Sequence, residues 1–98
     1  MKRKHTVIVA ILLCRFFLAS LLAQEWKFVG VITADASRGE SAILVKVDVP
    51  VTEGRALLIE SRDGTLRDSY QVRHVYGHTV LLEKSLREPF LSGARLYQ

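Results

Sequence analysis

The sequence predicts an all-β fold: a small six-stranded barrel of SH3-like or OB-like size, with a candidate internal two-fold repeat, preceded by an N-terminal hydrophobic signal helix. Three observations carry this expectation. From Trp26 onward, β-branched and aromatic runs are broken by Gly, Pro, Asp and Ser, and no i, i+3, i+4 apolar stripe reaches helical length. Residues 24–98 hold too little chain for a two-layer sandwich, and closing the sheet on itself removes the edges that would otherwise aggregate. Similar stretches also recur. Pro50-Val-Thr-Glu-Gly54-Arg-Ala-Leu57 lines up with Pro89-Phe-Leu-Ser-Gly93-Ala-Arg-Leu96, Val47 with Leu86 and Ile43 with Leu82. Upstream, Val29 and Ile32 line up with Val72 and Val75, which leaves the extra residues of the first half in the loop from Asp35 to Gly39.

The strands are expected at Trp26–Ala34, Ser41–Val47, Arg55–Ser61, Ser69–Val75, Thr79–Lys84 and Ala94–Gln98. Between them, Asp35 to Gly39 makes a longer connection, Arg62-Asp63-Gly64 a hairpin turn and Tyr76-Gly77 a tighter one. Pro50 and Pro89 fix the chain as it leaves one strand, while Gly54, Gly64, Gly77 and Gly93 supply the turns that a side chain would resist. Between Ser85 and Phe90 a helix is held to one turn by Pro89.

In front of the barrel stands a segment of different character. Lys2, Arg3, Lys4 and Arg15 are the basic residues of the first 23 positions, which contain no acid and so carry the whole formal charge of +4. Thr6 to Ala23 is apolar apart from Thr6, Arg15 and Ser20, and polar Gln24-Glu25 follows. A basic head before an apolar run is the pattern of an export signal, with Ala23, or else Ala19, as the small residue before the cleavage site. Residues 1–23 are therefore expected to be a signal peptide or a retained signal anchor, and residues 24–98 the barrel domain. Arg15 opposes the anchor, since a charge at the centre of a membrane helix costs roughly 2.5 to 3.5 kcal/mol on insertion scales. In both cases the basic head stays inside and the barrel is exported, to the periplasm or the secreted space. Membrane contact is then confined to residues 6–23 of an uncleaved signal. Cys14 is not expected to be a lipid acceptor, because bulky Leu13 precedes it and Arg15 follows.

Charge and composition then narrow the functional classes. From Gln24 onward ten basic residues balance ten acidic ones. A neutral body lacks the excess of Lys and Arg that phosphate contacts require, so no nucleic-acid partner is expected. That body also has no cysteine, which excludes thiol nucleophiles and Cys-type zinc sites.

His74 and His78 are the weak candidates for a metal pair or an acid/base group. With Tyr76-Gly77 as the two turn residues, Val75 faces His78 and His74 faces Thr79, so the rings diverge. Ser69, His74 and Asp68 make a triad on paper only, since neighbouring strand residues point to opposite faces. Asp63-Gly64 with Asp68 lacks the ligand spacing of a calcium loop. Asp35, Asp48 and Glu53 have no spacing that would set two of them across one bond. Trp26, Phe28, Tyr70, Tyr76, Phe90 and Tyr97, interleaved with Arg67, Arg73 and Arg95, fit core and rim packing better than a stacking platform. Trp26 suits a lid over the barrel end, or a membrane-interface position if the signal stays.

The expected function is accordingly a non-enzymatic, cofactor-free envelope or secreted module that binds a protein or envelope component through loops and a residual strand edge. The alternatives are a membrane-anchored subunit of an envelope complex and a small metal-dependent hydrolase using His74 and His78.

Overall fold

Successive strand residues point to opposite faces, and in the structure those faces become the inside and outside of a closed barrel, most regularly along Ala42 to Val47. The computed structural model describes residues 25–98; the candidate signal helix at residues 1–23 and its cleavage sites lie outside the described residues. Six strands form: β1 (Phe28–Ile32), β2 (Ala42–Val47), β3 (Ala56–Glu60), β4 (Arg67–Tyr76), β5 (Thr79–Leu82) and β6 (Arg95–Tyr97). They close in the order β1-β2-β5-β4-β3-β6, with β6 returning to β1, and every neighbouring pair is antiparallel.

Ile43 and Val45 of β2, Leu57 and Ile59 of β3, Val72 of β4, Val80 and Leu82 of β5 and Leu96 of β6 fill the interior. Ala42, Leu44 and Lys46 alternate with them on the outside of β2. The two ends are closed by residues that directly follow the prolines: Val51 after Pro50, and Phe90 after Pro89, both buried. β2 and β5 run antiparallel, so the connections leaving them, with these two plugs, lie at opposite ends of the barrel. A buried Val or Phe contributes roughly 1.5 to 3 kcal/mol, which a core this small requires to offset chain entropy.

Hydrogen bonds hold both connections in place. The β1–β2 loop is tied to the β5–β6 connection by Ala36 N to Phe90 O (2.8 Å), Phe90 N to Ala36 O (2.9 Å), Gly39 N to Leu86 O (2.8 Å) and Leu86 N to Glu40 O (2.7 Å). At the other end Gln98, the buried polar residue among those described, acts as an extra strand residue. Its side-chain amide donates to Thr52 O (2.9 Å), and its Oε1 accepts from Thr52 N (2.7 Å).

Two irregularities interrupt the ladders. Between Phe28 and Gly30 the β1–β6 ladder slips, and Gly30 lies so close to β2 that a Cβ there would overlap Lys46 O and come within 2.7 Å of Val47 Cα. Between Val72 and His74 the β4–β5 ladder slips as well. Arg73 is then an additional residue, so the inward alternation passes from Val72 to Val75 and His74 turns out.

Three local expectations are corrected. β4 reaches from Arg67 to Tyr76, longer than Ser69–Val75, because the Asp63 turn and the bulge extend its pairing at both ends. Ser85 to Phe90 is no helical turn but a bent connection whose Phe90 bridges Ala36. Tyr76 pairs with Thr79, so the two turn residues are Gly77 and His78 rather than Tyr76 and Gly77; Gly77, at φ 55°, carries the left-handed conformation.

Replacing Gly30 by Ala is expected to lower stability by about 2 to 3 kcal/mol, because backbone rather than a flexible side chain must move. Chemical denaturation compared with the unsubstituted protein measures this.

Candidate functional site

The sequence candidates do not converge. His74 sits on the outer face of β4, where Nδ1 meets the Glu53 carboxylate and the ring lies tilted 46° against Tyr76 at 5.2 Å. His78 is at the hairpin tip, so the expected pairings of Val75 with His78 and His74 with Thr79 are replaced by Val75 with Val80 and His74 with Leu81. Among the described residues no group of three or more His, Cys, Asp or Glu side chains is placed to hold a metal ion. Ser69 is exposed and Asp68 is occupied elsewhere, so Ser69, His74 and Asp68 form no relay. Asp35 accepts from Ser92 N at 2.7 Å while Glu53 meets His74, which puts those carboxylates in separate places.

Asp68 belongs to a cluster that has no sequence signature. Arg87 Nε and Nη2 donate to its two oxygens at 2.8 and 2.6 Å, a paired arrangement that fixes the guanidinium plane. Tyr70 OH donates to Asp68 Oδ2 at 2.8 Å and accepts from Arg87 N at 3.0 Å, and the Arg87 guanidinium lies 4.7 Å from the Tyr70 ring centroid. Hydrogen bonding from Arg87, then from Tyr70, holds the Asp68 carboxyl below its ordinary range, and Asp68 in turn raises Arg87. Burial is the main cause that raises Tyr70. Arg87 Nη2 also donates to Ser69 O at 3.2 Å, and the cluster anchors the β5–β6 connection to the start of β4.

The arginine and tyrosine residues form no stacking platform. Glu60 takes Arg67 Nε at 3.0 Å and Arg95 Nη2 at 2.6 Å, while Tyr97 packs edge-on against Phe28 with ring centroids 5.9 Å apart. Trp26 is half-buried just before β1.

What the fold does build is a groove of about 560 Å³ between the β3–β4 hairpin and the β5–β6 connection, lined by Ser61, Arg62, Asp63, Thr65, Leu66, Pro89 and Leu91. Its hairpin wall is tied together by hydrogen bonds. Asp63 Oδ1 accepts from Ser61 Oγ at 2.7 Å, Thr65 N at 3.0 Å and Thr65 Oγ1 at 2.7 Å, and these bonds, Ser61 first, hold its pKa down at about 2. Leu91, on the other wall, is 66% exposed. Arg62 crosses the backbone of Gly93, where a Cβ would stand 2.7 Å from Arg62 Cδ. The sequence marks the turn and Pro89; it carries no sign that the two loops meet, because the contact depends on barrel closure.

Compared with known proteins, the chain matches no family model, no curated protein and no solved structure at a significant level.

Asp68 supplies the pH dependence that can be checked. Its pKa is lower folded than the unfolded value near 3.9, so its stabilising contribution is full above about pH 5 and is lost as pH falls through the folded value. Asp68→Asn is expected to cost about 1 kcal/mol at neutral pH, the modest size reflecting the half-exposed Arg87. In denaturation series the gap between variant and unsubstituted protein should narrow as pH drops below about 4.

Proposed function

We propose that this chain is an exported, non-enzymatic binding module that takes a protein partner in the groove beside Leu91. The observation that carries the reading is the apolar lining of Leu66, Pro89 and Leu91, contributed by two connections that hydrogen bonds tie in place. Exposed apolar surface beside a fixed polar rim is what a protein partner covers, and a preformed groove binds without first ordering its own loops. Ser61, Arg62 and Asp63 along the hairpin wall provide the polar rim.

The proposed destination, periplasm or secreted space, rests on the basic head and apolar run before Gln24, read as a signal peptide or anchor. Internal duplication is proposed with it. Exchanging β1, β2 and β3 for β4, β5 and β6 leaves the strand order unchanged. The exchange also carries the pairing of Gly30 with Leu96 onto that of Tyr70 with Leu57, and of Val31 with Arg95 onto that of Gln71 with Ala56. The bonds Gly93 N to Ile32 O and Ile32 N to Ala94 O recur as Gly54 N to Val72 O and Val72 N to Arg55 O, all between 2.8 and 3.0 Å. In that correspondence the counterpart of Ile32 is Val72, whereas alignment by sequence pairs it with Val75. Gly54 and Gly93 share positive φ, 79° and 92°.

Two measurements test the reading. The intact mass of the protein from its native host should correspond to a chain beginning near Gln24; a full-length soluble cytoplasmic species would contradict export. Affinity capture of the tagged protein from the same host should recover a partner that Leu91→Asp loses at an unchanged thermal melt. Replacing His74 and His78 together by Gln should leave capture intact, and loss of an enzymatic activity in that pair would favour a hydrolase instead.

A further inference from the structure

The β3–β4 hairpin holds a dipeptide whose reactivity belongs to the sequence and whose restraint belongs to the fold. The chain has no asparagine, and Asp63 is the aspartate that a glycine follows. In that pair the side-chain carboxyl lies one methylene from the main chain, and glycine, lacking a Cβ, leaves its amide nitrogen unhindered. The reaction open to it is ring closure: Gly64 N attacks Asp63 Cγ, the carboxyl hydroxyl leaves with the amide proton as water, and a five-membered succinimide forms. Water then adds to one of the two ring carbonyls. Opening at Cγ returns aspartate. Opening at the Cα-side carbonyl breaks its bond to Gly64 N and leaves the chain running through Cγ, an isoaspartyl residue of unchanged mass.

Each requirement of that closure is opposed by a bond in the hairpin. The carboxyl must be protonated to release water, yet Oδ1 accepts from Ser61 Oγ (2.7 Å), Thr65 N (3.0 Å) and Thr65 Oγ1 (2.7 Å), and these donors favour the carboxylate, a poor electrophile. The nitrogen must give up its hydrogen, yet Gly64 N donates to Ser61 O at 2.9 Å. Nitrogen and Cγ must also come together, which turns the peptide between residues 63 and 64. Gly64 is set at φ 75° in a turn where Ser61 N donates to Leu66 O (2.8 Å) and Leu66 N to Ser61 Oγ (3.0 Å). Burial contributes nothing, since Asp63 and Gly64 are both exposed and water reaches them freely. The restraint therefore lies in the bonds.

We infer that Asp63-Gly64 is a latent isomerisation site, held unreactive in the folded protein by Ser61, Thr65 and the bond from Gly64 N to Ser61 O, and that isoaspartate forms there only from an opened hairpin. Local opening of a surface turn takes less free energy than unfolding of the barrel, so the rate is governed by the hairpin itself. Reaction ends the arrangement: isoaspartate adds a carbon to the main chain and takes one from the side chain, and the carboxylate leaves its place among the three donors. This chemistry is independent of the binding proposed for the groove, although it alters the wall that Ser61, Arg62 and Thr65 give to it.

Ageing of the full chain in detergent at neutral pH tests this, followed by proteolysis and chromatography that separates the isoaspartyl peptide from its isomer of equal mass. Isoaspartate should accumulate at least about tenfold more slowly in the folded protein than in the same protein kept in urea, because several hydrogen bonds must break before the ring can close. Ser61→Ala with Thr65→Val, aged below its thermal melt, should lose most of that protection, and Thr65→Val alone, the milder change, should lose part of it. Gln98→Ala, which loosens the clasp on Thr52 at the opposite end of the barrel, should keep it. Equal rates in the folded and urea-treated protein, variants of Ser61 and Thr65 as slow as the unsubstituted chain, or acceleration by Gln98→Ala equal to theirs would overturn the inference.

Discussion

The seam between the first and last strands is the constraint on which the rest of the structure depends. Pairing of Gly30 with Leu96 and Val31 with Arg95 turns an open sheet into a barrel, and only then do Leu96, Ala94 and Ile32 lose contact with water. The seam forms because β1 crosses β2 at a glycine: with Lys46 O and Val47 Cα against Gly30, the strand bends enough to receive β6 on its other side. Closure between residues so far apart costs chain entropy before any contact rewards it. The hydrogen bonds that tie Ala36 to Phe90 and Asp35 to Ser92 continue the same seam into the loops.

Closure also decides how this molecule can meet another. A residual strand edge, expected from the sequence as part of the binding surface, is absent among the described residues, because each strand has a neighbour on both sides. With no strand position open in the closed barrel, a partner of the module proposed above would meet side chains and loops rather than a strand edge. The interior is filled by Ile, Leu, Val and Phe side chains. The polar clusters at Asp68, Asp63 and Glu60 tie strand ends and turns together, although Arg95 Nε beside Glu60 is buried without a partner.

Most of the frame was legible because it rests on local rules. The β-branched runs and the turn residues between them located all six strands to within a few residues. The glycines at turns were legible because positive φ is a local demand. His74 was misplaced for an equally local reason that leaves no clear mark: one additional residue at Arg73 inverts the alternation, and the turn moves on by one. Gly30 did leave a signal, a glycine inside the β-branched run Val29 to Ile32, which is how a close backbone approach announces itself. The Asp68, Tyr70 and Arg87 cluster, the Gln98 clasp on Thr52 and the groove at Leu91 were illegible, since each depends on which strands pair: β4 with β5 for the first, β3 with β6 for the clasp.

Amide hydrogen exchange at the seam tests this account most directly. Ile32 N donates to Ala94 O and Gly93 N to Ile32 O, both at 2.8 Å, across the junction that closes the barrel. If closure is the organising constraint, these two amides exchange as slowly as those of the β3–β4 ladder, at the rate of global unfolding. Exchange at Ile32 and Gly93 much faster than at Leu57 and Ile59 would show a sheet that opens between β1 and β6, with a free edge and a different mode of recognition.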